Sequence, residues 1–297
     1  MNIPFSHEPV LKDLVLSFFK EKIGATLVDA TAGGGGHLAM LAKCVGASGK
    51  VLAFDRDLRA HETDAAGGVV AENPSVIKLF HAPFSHIEST LGRLGIAHID
   101  GLLCDLGVSS NQLDDKSRGF SFMADGPIDM RMNTKDGQSA YQWLEHSSEE
   151  EIAHALFTFG GERKSRAIAR LIKKSWPIEN STLALAKIIT QAMRQKSWSK
   201  THPATRSFQA LRIAVNDEMG ELQKLIQSIP HILAPGGVAV FISFHSLEDR
   251  VIKHSFLKLS RIGFSILTKK PLIAGDEEMA KNRRARSAKL RAIMRVS

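Results

Sequence analysis

The sequence predicts an α/β protein: a doubly wound parallel sheet with helices on both faces, interrupted by an all-helical insert. Three observations predict it. Short apolar runs alternate with helical patterns through the first hundred or so residues, and the runs are nearly continuous in apolar character, as strands covered on both faces are. After the fourth run the alternation stops and only helical periodicity follows. The first strand passes into a glycine turn that opens a helix, Leu27-Val28-Asp29-Ala30-Thr31-Ala32-Gly33-Gly34-Gly35-Gly36-His37, the strand–turn–helix arrangement of a Rossmann-like sheet.

Taken in order, Ser6-His7-Glu8-Pro9 reads as a helix start with Pro9 near the first turn, and Val10, Leu11, Leu14, Val15, Phe18 and Phe19 recur at helical spacing as far as Lys22, with Gly24 ending the helix. Strands are predicted at 26–29, 50–54, 76–80 and 99–104, the last running into Asp105. Residues 109–136 are rich in Ser, Gly, Asp and Arg and show neither period. From Ser139 to Gln195 the pattern is helical: Ser148 with Glu151 forms a capping box, and Pro177 separates two further helices. Strand patterns return at 237–243, 264–269 and 288–294. The organisation this predicts is a sheet domain in two parts, 1–108 and 205–297, around an insert at 109–204.

Composition narrows the class. With 43% hydrophobic and 24% charged residues the chain is ordinary globular protein rather than disordered. No apolar run approaches a membrane span, and Met1-Asn2-Ile3-Pro4 is no secretion signal, so a soluble, cytoplasmic protein without membrane contact is expected. Cys44 and Cys104 lie far apart in apolar contexts and read as buried thiols, with neither a disulfide nor zinc expected. The net charge of +8 is concentrated. Arg163, Lys164, Arg166, Arg170, Lys173 and Lys174 crowd one helical segment. Lys281, Arg283, Arg284, Arg286, Lys289, Arg291 and Arg295 fill the C-terminal tail, and Arg194, Lys196, Lys200 and Arg206 add to them. One such cluster is usually a solvated face; together they favour a polyanionic partner.

The glycine turn gains meaning from Asp55, which ends the second strand about twenty residues downstream, where an acid meets a ribose diol. Four glycines alone could be a flexible loop; with Asp55 they read as a nucleoside-cofactor site. No Lys-Ser/Thr follows Gly36, which excludes a phosphate-cradling P-loop. The order Asp29-x-Thr31-x-Gly33-x-Gly35 resembles the first motif of S-adenosylmethionine-dependent methyltransferases. A nicotinamide dinucleotide remains the alternative, less favoured because Asp29 would stand beside its pyrophosphate. Asp105, at the carboxyl end of the fourth strand, can accept a hydrogen bond from an exocyclic amine, although an Asx turn would explain it too. Phe84, in His81-Ala82-Pro83-Phe84, can flank an adenine ring. In Ser243-Phe244-His245-Ser246-Leu247-Glu248-Asp249-Arg250 the polar side chains suit either a catalytic network or a helix start capped by Ser246. His245 and Asp249 make no convincing metal set, and no metal centre is expected.

Together these segments identify the chain as similar to the bacterial ribosomal RNA small-subunit methyltransferase H (MraW) family. The resemblance runs from His7-Glu8-Pro9-Val10-Leu11 and the glycine turn through Ala53-Phe54-Asp55-Arg56-Asp57 and Asp105-Leu106-Gly107-Val108-Ser109-Ser110. It continues in the long stretch from Gln112 to Met132, in His202-Pro203-Ala204-Thr205-Arg206, in Ser243 to Arg250, and in Arg284-Ala285-Arg286-Ser287. The resemblance implies a class I methyltransferase sheet and transfer of a methyl group from S-adenosylmethionine to N4 of a cytidine in the decoding region of small-subunit ribosomal RNA, whether as free RNA or as the ribosomal subunit. It implies cofactor contacts at Gly35, Gly36, His37, Asp55, Phe84, Asp105 and Gln112, and RNA recognition by the insert. Asp105 is the first candidate catalytic residue, accepting from the target amine, with His245 behind it. Oligomeric state, a homodimer included, stays open. An oxidoreductase and a non-catalytic RNA-binding protein are the competing classes; the basic insert does not help the first, and the second leaves the glycine turn and Asp55 unexplained.

Overall fold

The computed structural model describes residues 9–193 and 202–296. The chain forms two compact units, Met1–Gly107 with Gly220–Ser297, and Val108–Met219. The first begins with α1 (Lys12–Phe19), β1 (Thr26–Asp29), α2 (Gly36–Val45), β2 (Lys50–Asp55), α3 (Ala66–Glu72), β3 (Ile77–His81), α4 (Ile87–Arg93) and β4 (Ile99–Asp105). The second holds α5 (Ser110–Asp114), α6 (Ala140–His146), α7 (Glu149–Gly160), α8 (Ser165–Lys174), α9 (Thr182–Met193) and α10 (Thr205–Asn216). The chain returns through α11 (Glu218–Ile232) to β5 (Leu233–Ser243), α12 (Ser246–Leu259), β6 (Phe264–Ile266), α13 (Asp276–Lys281) and β7 (Lys289–Arg295).

The strands make one sheet of order β3-β2-β1-β4-β5-β7-β6. The first five are parallel to their neighbours, while β7 runs antiparallel to β5 and β6. The sheet is therefore mixed at one edge rather than wholly parallel. Successive strands β6 and β7 lie side by side, and neighbours joined without a crossover over the sheet face must be antiparallel. The order reverses between β1 and β4, so the connections leaving these two strands part there and open a crevice at the carboxyl edge. Leu27, Leu103 and Val240 from adjacent strands, with Val15 and Phe19 from α1, share a core. Gly101 in β4 makes room for that packing: a Cβ there would stand 2.6 Å from the Phe19 ring.

α1 is shorter than the sequence pattern suggests. Leu11 before it has φ +56°, Lys20 after it is extended and Glu21 has φ +65°, so the apolar run enters and leaves the helix through turns. The predicted helix start at 6–8 lies outside the described residues, as do Arg194, Lys196 and Lys200.

The insert packs Ile152 and Leu156 of α7, Ile168 and Ile172 of α8, Leu185 of α9, and Phe208 and Leu211 of α10 into its own core. Its end therefore lies at Met219 and not at 204: α10 is amphipathic toward this core, a fact that a strand-to-helix pattern does not reveal. The capping box of Ser148 and Glu151 starts α7 as the sequence indicates. The aperiodic stretch before α6 is held by buried polar groups. Arg118 Nη2 donates to the carbonyls of Arg131 and Met132, and Asn216 accepts from Met132 N and donates to Met130 O. Such pairing is what allows irregular backbone to be buried.

Candidate active site

The crevice is built by the turn after β1. Asp29 Oδ1 accepts from Thr31 N at 3.1 Å, and Thr31 Oγ1 in turn accepts from Asp105 N at 2.8 Å, tying the turn to the end of β4. Gly33 N donates to Asp55 Oδ2 at 2.8 Å, and Asp57 N to Asp55 Oδ1 at 2.8 Å, so the acid ending β2 braces the same turn from the other side. Gly35 has φ +84°, and a Cβ on it would lie 2.7 Å from Val69 Cγ2, so both conformation and space demand glycine. A Cβ on Gly34 would meet nothing within 4 Å, which leaves open room above the turn.

Three carboxylates thus end three adjacent strands. Burial pushes Asp29 up to about 7, with its Thr31 hydrogen bond opposing and the charges of Asp105 and Asp55 adding to the rise. Burial likewise pushes Asp105 up to about 7, with Arg284 acting downward and Glu248 upward. Asp55 is pushed up to about 6 by burial against the hydrogen bonds from Asp57 and Gly33. Asp29 Oδ2 and Asp105 Oδ1 are buried with no hydrogen-bond donor, and neither nitrogen of His37 has an aligned partner. Burial lowers His37 to about 4, so it is neutral at pH 7, and its Nε2 lies 3.8 Å from Asp105 Oδ2. Acceptors without donors in a buried crevice are an unmet demand for hydroxyl, amine or ammonium groups.

Gly35, Gly36, His37, Asp55 and Asp105 therefore converge at one edge. Phe84 begins a short 3-10 turn directly after β3 and is half-buried. In the insert, Gln112 is buried and its Oε1 accepts from Ser109 N at 2.9 Å in the capping box of α5; its role as a cofactor contact rests on the resemblance alone.

The segment after β5 departs from the sequence reading. The cap of α12 is His245, one residue before Ser246: its Nδ1 accepts from Glu248 N at 3.3 Å. Glu248 Oε2 accepts from Phe244 N at 2.8 Å and from His245 N at 3.2 Å. His245 Nε2 is 3.0 Å from Glu248 Oε1, close but not aligned as a hydrogen bond. The imidazole is thus turned onto its own helix, as a cap rather than as an exposed base. Glu248 is only 1% exposed and was legible in sequence merely as an acid in a first turn. The contact between Phe244 and Arg284 was also not legible in sequence: the Arg284 guanidinium carbon lies 5.3 Å from the Phe244 ring centroid.

The basic tail divides. Arg291 is buried with Nε 2.6 Å from Asp249 Oδ1, Lys289 pairs with the same carboxylate, and Arg295 donates to the carbonyls of Pro230 and Leu233. These three serve the sheet, while Lys281, Arg283 and Arg286 are exposed. In the insert, Arg170 Nε lies 3.4 Å from Glu149 Oε1, and Lys173 donates to the carbonyls of Leu144 and Glu145. Arg163, Arg166 and Lys174 face solvent. Cys44 and Cys104 are buried free thiols, and among the described residues no group of three His, Cys, Asp or Glu could hold a metal ion. No described helix is long and apolar enough to cross a membrane.

A family model described as the MraW methylase family matches residues 4–296. The chain is 45% identical over 292 residues to ribosomal RNA small subunit methyltransferase H of Sorangium cellulosum, covering 98% of this chain and 91% of that protein. It is 44% identical over 299 residues to the protein of the same name from Koribacter versatilis, covering 98% and 94%. With that of Anaeromyxobacter sp. it shares 41% over 315 residues and the full length of both.

Proposed function

Because the chain belongs to the MraW methylase family, we propose that it is an S-adenosylmethionine-dependent ribosomal RNA methyltransferase acting on N4 of a cytidine in the decoding region of the small subunit. The observation that carries this reading is the end-to-end match to relatives named for methylating small-subunit ribosomal RNA. The crevice supports it. Open room above Gly34, and the donor-free oxygens of Asp29 and Asp105, fit a ligand bearing hydroxyls, an amine and a positive charge.

Asp55 would accept from ribose hydroxyls, each of its oxygens having a lone pair beyond the one given to backbone N–H. Gly35 and Gly36 allow close approach at the start of α2, His37 and Asp105 would line the reacting end, and Phe84 would flank the adenine. S-adenosylmethionine, when bound, supplies an electrophilic methyl group on a positively charged sulfur. Cytosine N4 is a poor nucleophile because its lone pair is delocalised into the ring, so the protein's contribution is alignment and acceptance of the amine protons. Two features of Asp105 support that role: Oδ1 has no donor, and a value of about 7 would let the carboxyl take up a proton once the new N–C bond makes it acidic. The exposed cations Arg163, Arg166 and Lys174 of the insert would neutralise RNA phosphates.

The test is incubation of the protein with methyl-labelled S-adenosylmethionine and small ribosomal subunits or their naked RNA, followed by mapping of the modified nucleotide. Label at N4 of one decoding-region cytidine supports the reading. Label elsewhere, or none with either substrate, refutes it.

A further inference from the structure

The chain carries a net charge of +8, and one groove in the insert runs against that balance. It lies where α6, α7 and the end of α10 meet, and its volume is about 510 Å³. Its apolar lining includes the buried Ile213 and Met219 and the half-buried rings of Trp143 and Phe159. Three carboxylates line it as well, Glu150, Glu151 and Asp217, and among the described residues no Lys or Arg does. Glu151 is held by Ser148 in the capping box of α7. Glu150 and Asp217 are exposed, and among the described residues neither carboxylate has a hydrogen-bond or ion-pair partner. Asp217 is the residue that ends α10, so the partial negative charge of the last helical carbonyls adds to its own.

A phosphate chain does not suit this place. Carboxylates repel a polyanion, and the solvent-facing cations that suit one, Arg163, Arg166 and Lys174, belong to α8 and the turn before it. An apolar floor with aromatic walls takes an apolar or aromatic anchor, and acids at its rim take ammonium or guanidinium groups. A small polyamine supplies the cations but no anchor. A polypeptide rich in Lys or Arg, with a bulky apolar residue among them, supplies both. Proteins that coat RNA carry such basic extensions, because they neutralise its phosphates. We propose that the groove docks a cationic protein extension of the ribosomal particle, its anchor against Trp143, Phe159 and Met219 and its cations against Glu150 and Asp217. The inference rests on the reading of small-subunit RNA as the substrate and adds the form of that substrate: the particle with its proteins binds more tightly than the RNA alone.

The experiment compares affinity for small ribosomal subunits with affinity for their protein-free RNA, by filter binding at one salt concentration. The proteins are the unsubstituted chain and two variants. Ala214→Trp enlarges a half-buried lining residue and fills the groove without changing its charge. Glu150→Gln with Asp217→Asn removes the two unpaired charges and keeps the shape. Circular dichroism reports whether each variant is folded. Ala214→Trp should weaken subunit binding about tenfold, the scale of a blocked anchor, and the paired substitution about three- to tenfold, the scale of two partly exposed charge contacts. Neither should bind protein-free RNA more weakly than the parent. In the subunit complex a carbodiimide should couple Glu150 or Asp217 of the unsubstituted chain to a lysine of a ribosomal protein, located by mass spectrometry. Unchanged subunit affinity in either folded variant overturns the proposal. So does an equal loss on subunits and on protein-free RNA, which marks an RNA surface. A subunit-specific loss without a link to any ribosomal protein, or with a link only to a second copy of this chain, overturns it too. If the unsubstituted protein methylates neither substrate, the proposed function falls and this inference with it; with transfer intact, the outcomes above refute the docking alone.

Discussion

Asp105→Asn removes a charge that the fold keeps out of water, and the consequence for stability has a definite sign. Burial raises the Asp105 carboxyl from an ordinary 3.8 to about 7, more than the nearby Arg284 charge lowers it. A folded-state value above the unfolded one means that ionisation favours the unfolded chain. The penalty is absent below the ordinary carboxylate value, grows between about pH 4 and 7, and is complete above 7. At about 1.4 kcal/mol per pH unit, the displacement amounts to roughly 4 kcal/mol. The substituted amide still occupies a buried place where Oδ1 lacks a donor, which costs back about 1–2 kcal/mol. The ligand-free variant should therefore be more stable than the parent by about 2–3 kcal/mol at pH 8.5 and show no gain at pH 4. Urea unfolding of both proteins at the two pH values measures the difference. A pH-independent difference, or a variant less stable at pH 8.5, would refute the argument that this carboxylate is held ionised at the expense of the fold. The same substitution should depress methyl transfer, since a neutral amide takes up no proton.

Asp55→Ala should weaken S-adenosylmethionine binding by about 1.5–3 kcal/mol, the scale of charge-assisted hydrogen bonds, and it also frees Gly33 N; calorimetry on the folded variant showing parental affinity would remove Asp55 from the site. Glu248→Ala leaves the N–H groups of Phe244 and His245 without their carboxylate, so chemical denaturation should show a loss of about 2–4 kcal/mol. A variant as stable as the parent would mean that the turn after β5 does not depend on Glu248. Arg166→Ala with Lys174→Ala removes two solvent-facing cations, whereas Arg170 already faces Glu149. RNA affinity should fall and the log–log salt slope should flatten by about 1.4 for two single-strand phosphate contacts, with cofactor binding unaltered; filter binding across salt concentrations that shows an unchanged slope would assign these residues to solvent alone.

Local features of this protein are legible in its sequence because each is decided within a few residues. The glycine turn needs left-handed backbone at Gly35, the Ser148–Glu151 capping box closes on itself, and the apolar runs of β1 and β4 lie where their composition puts them. The meeting of Asp29, Asp55 and Asp105 also follows, since strands of a doubly wound sheet deliver their carboxyl ends to one edge. Pairings between distant residues do not follow, because periodicity reports a face and not its partner. Tertiary packing alone turned β7 antiparallel, drew α10 into the insert's core and laid Arg284 over Phe244 forty residues away in sequence. It also divided the basic tail. Seven cations look alike as sequence, yet Arg291 lies on a strand that brings it to Asp249, while Arg283 and Arg286 stay in solvent. Charge is a property of the residue, but whether that charge is spent inside the fold or offered to a polyanion depends on which strand lies beside it, and only the folded chain decides that.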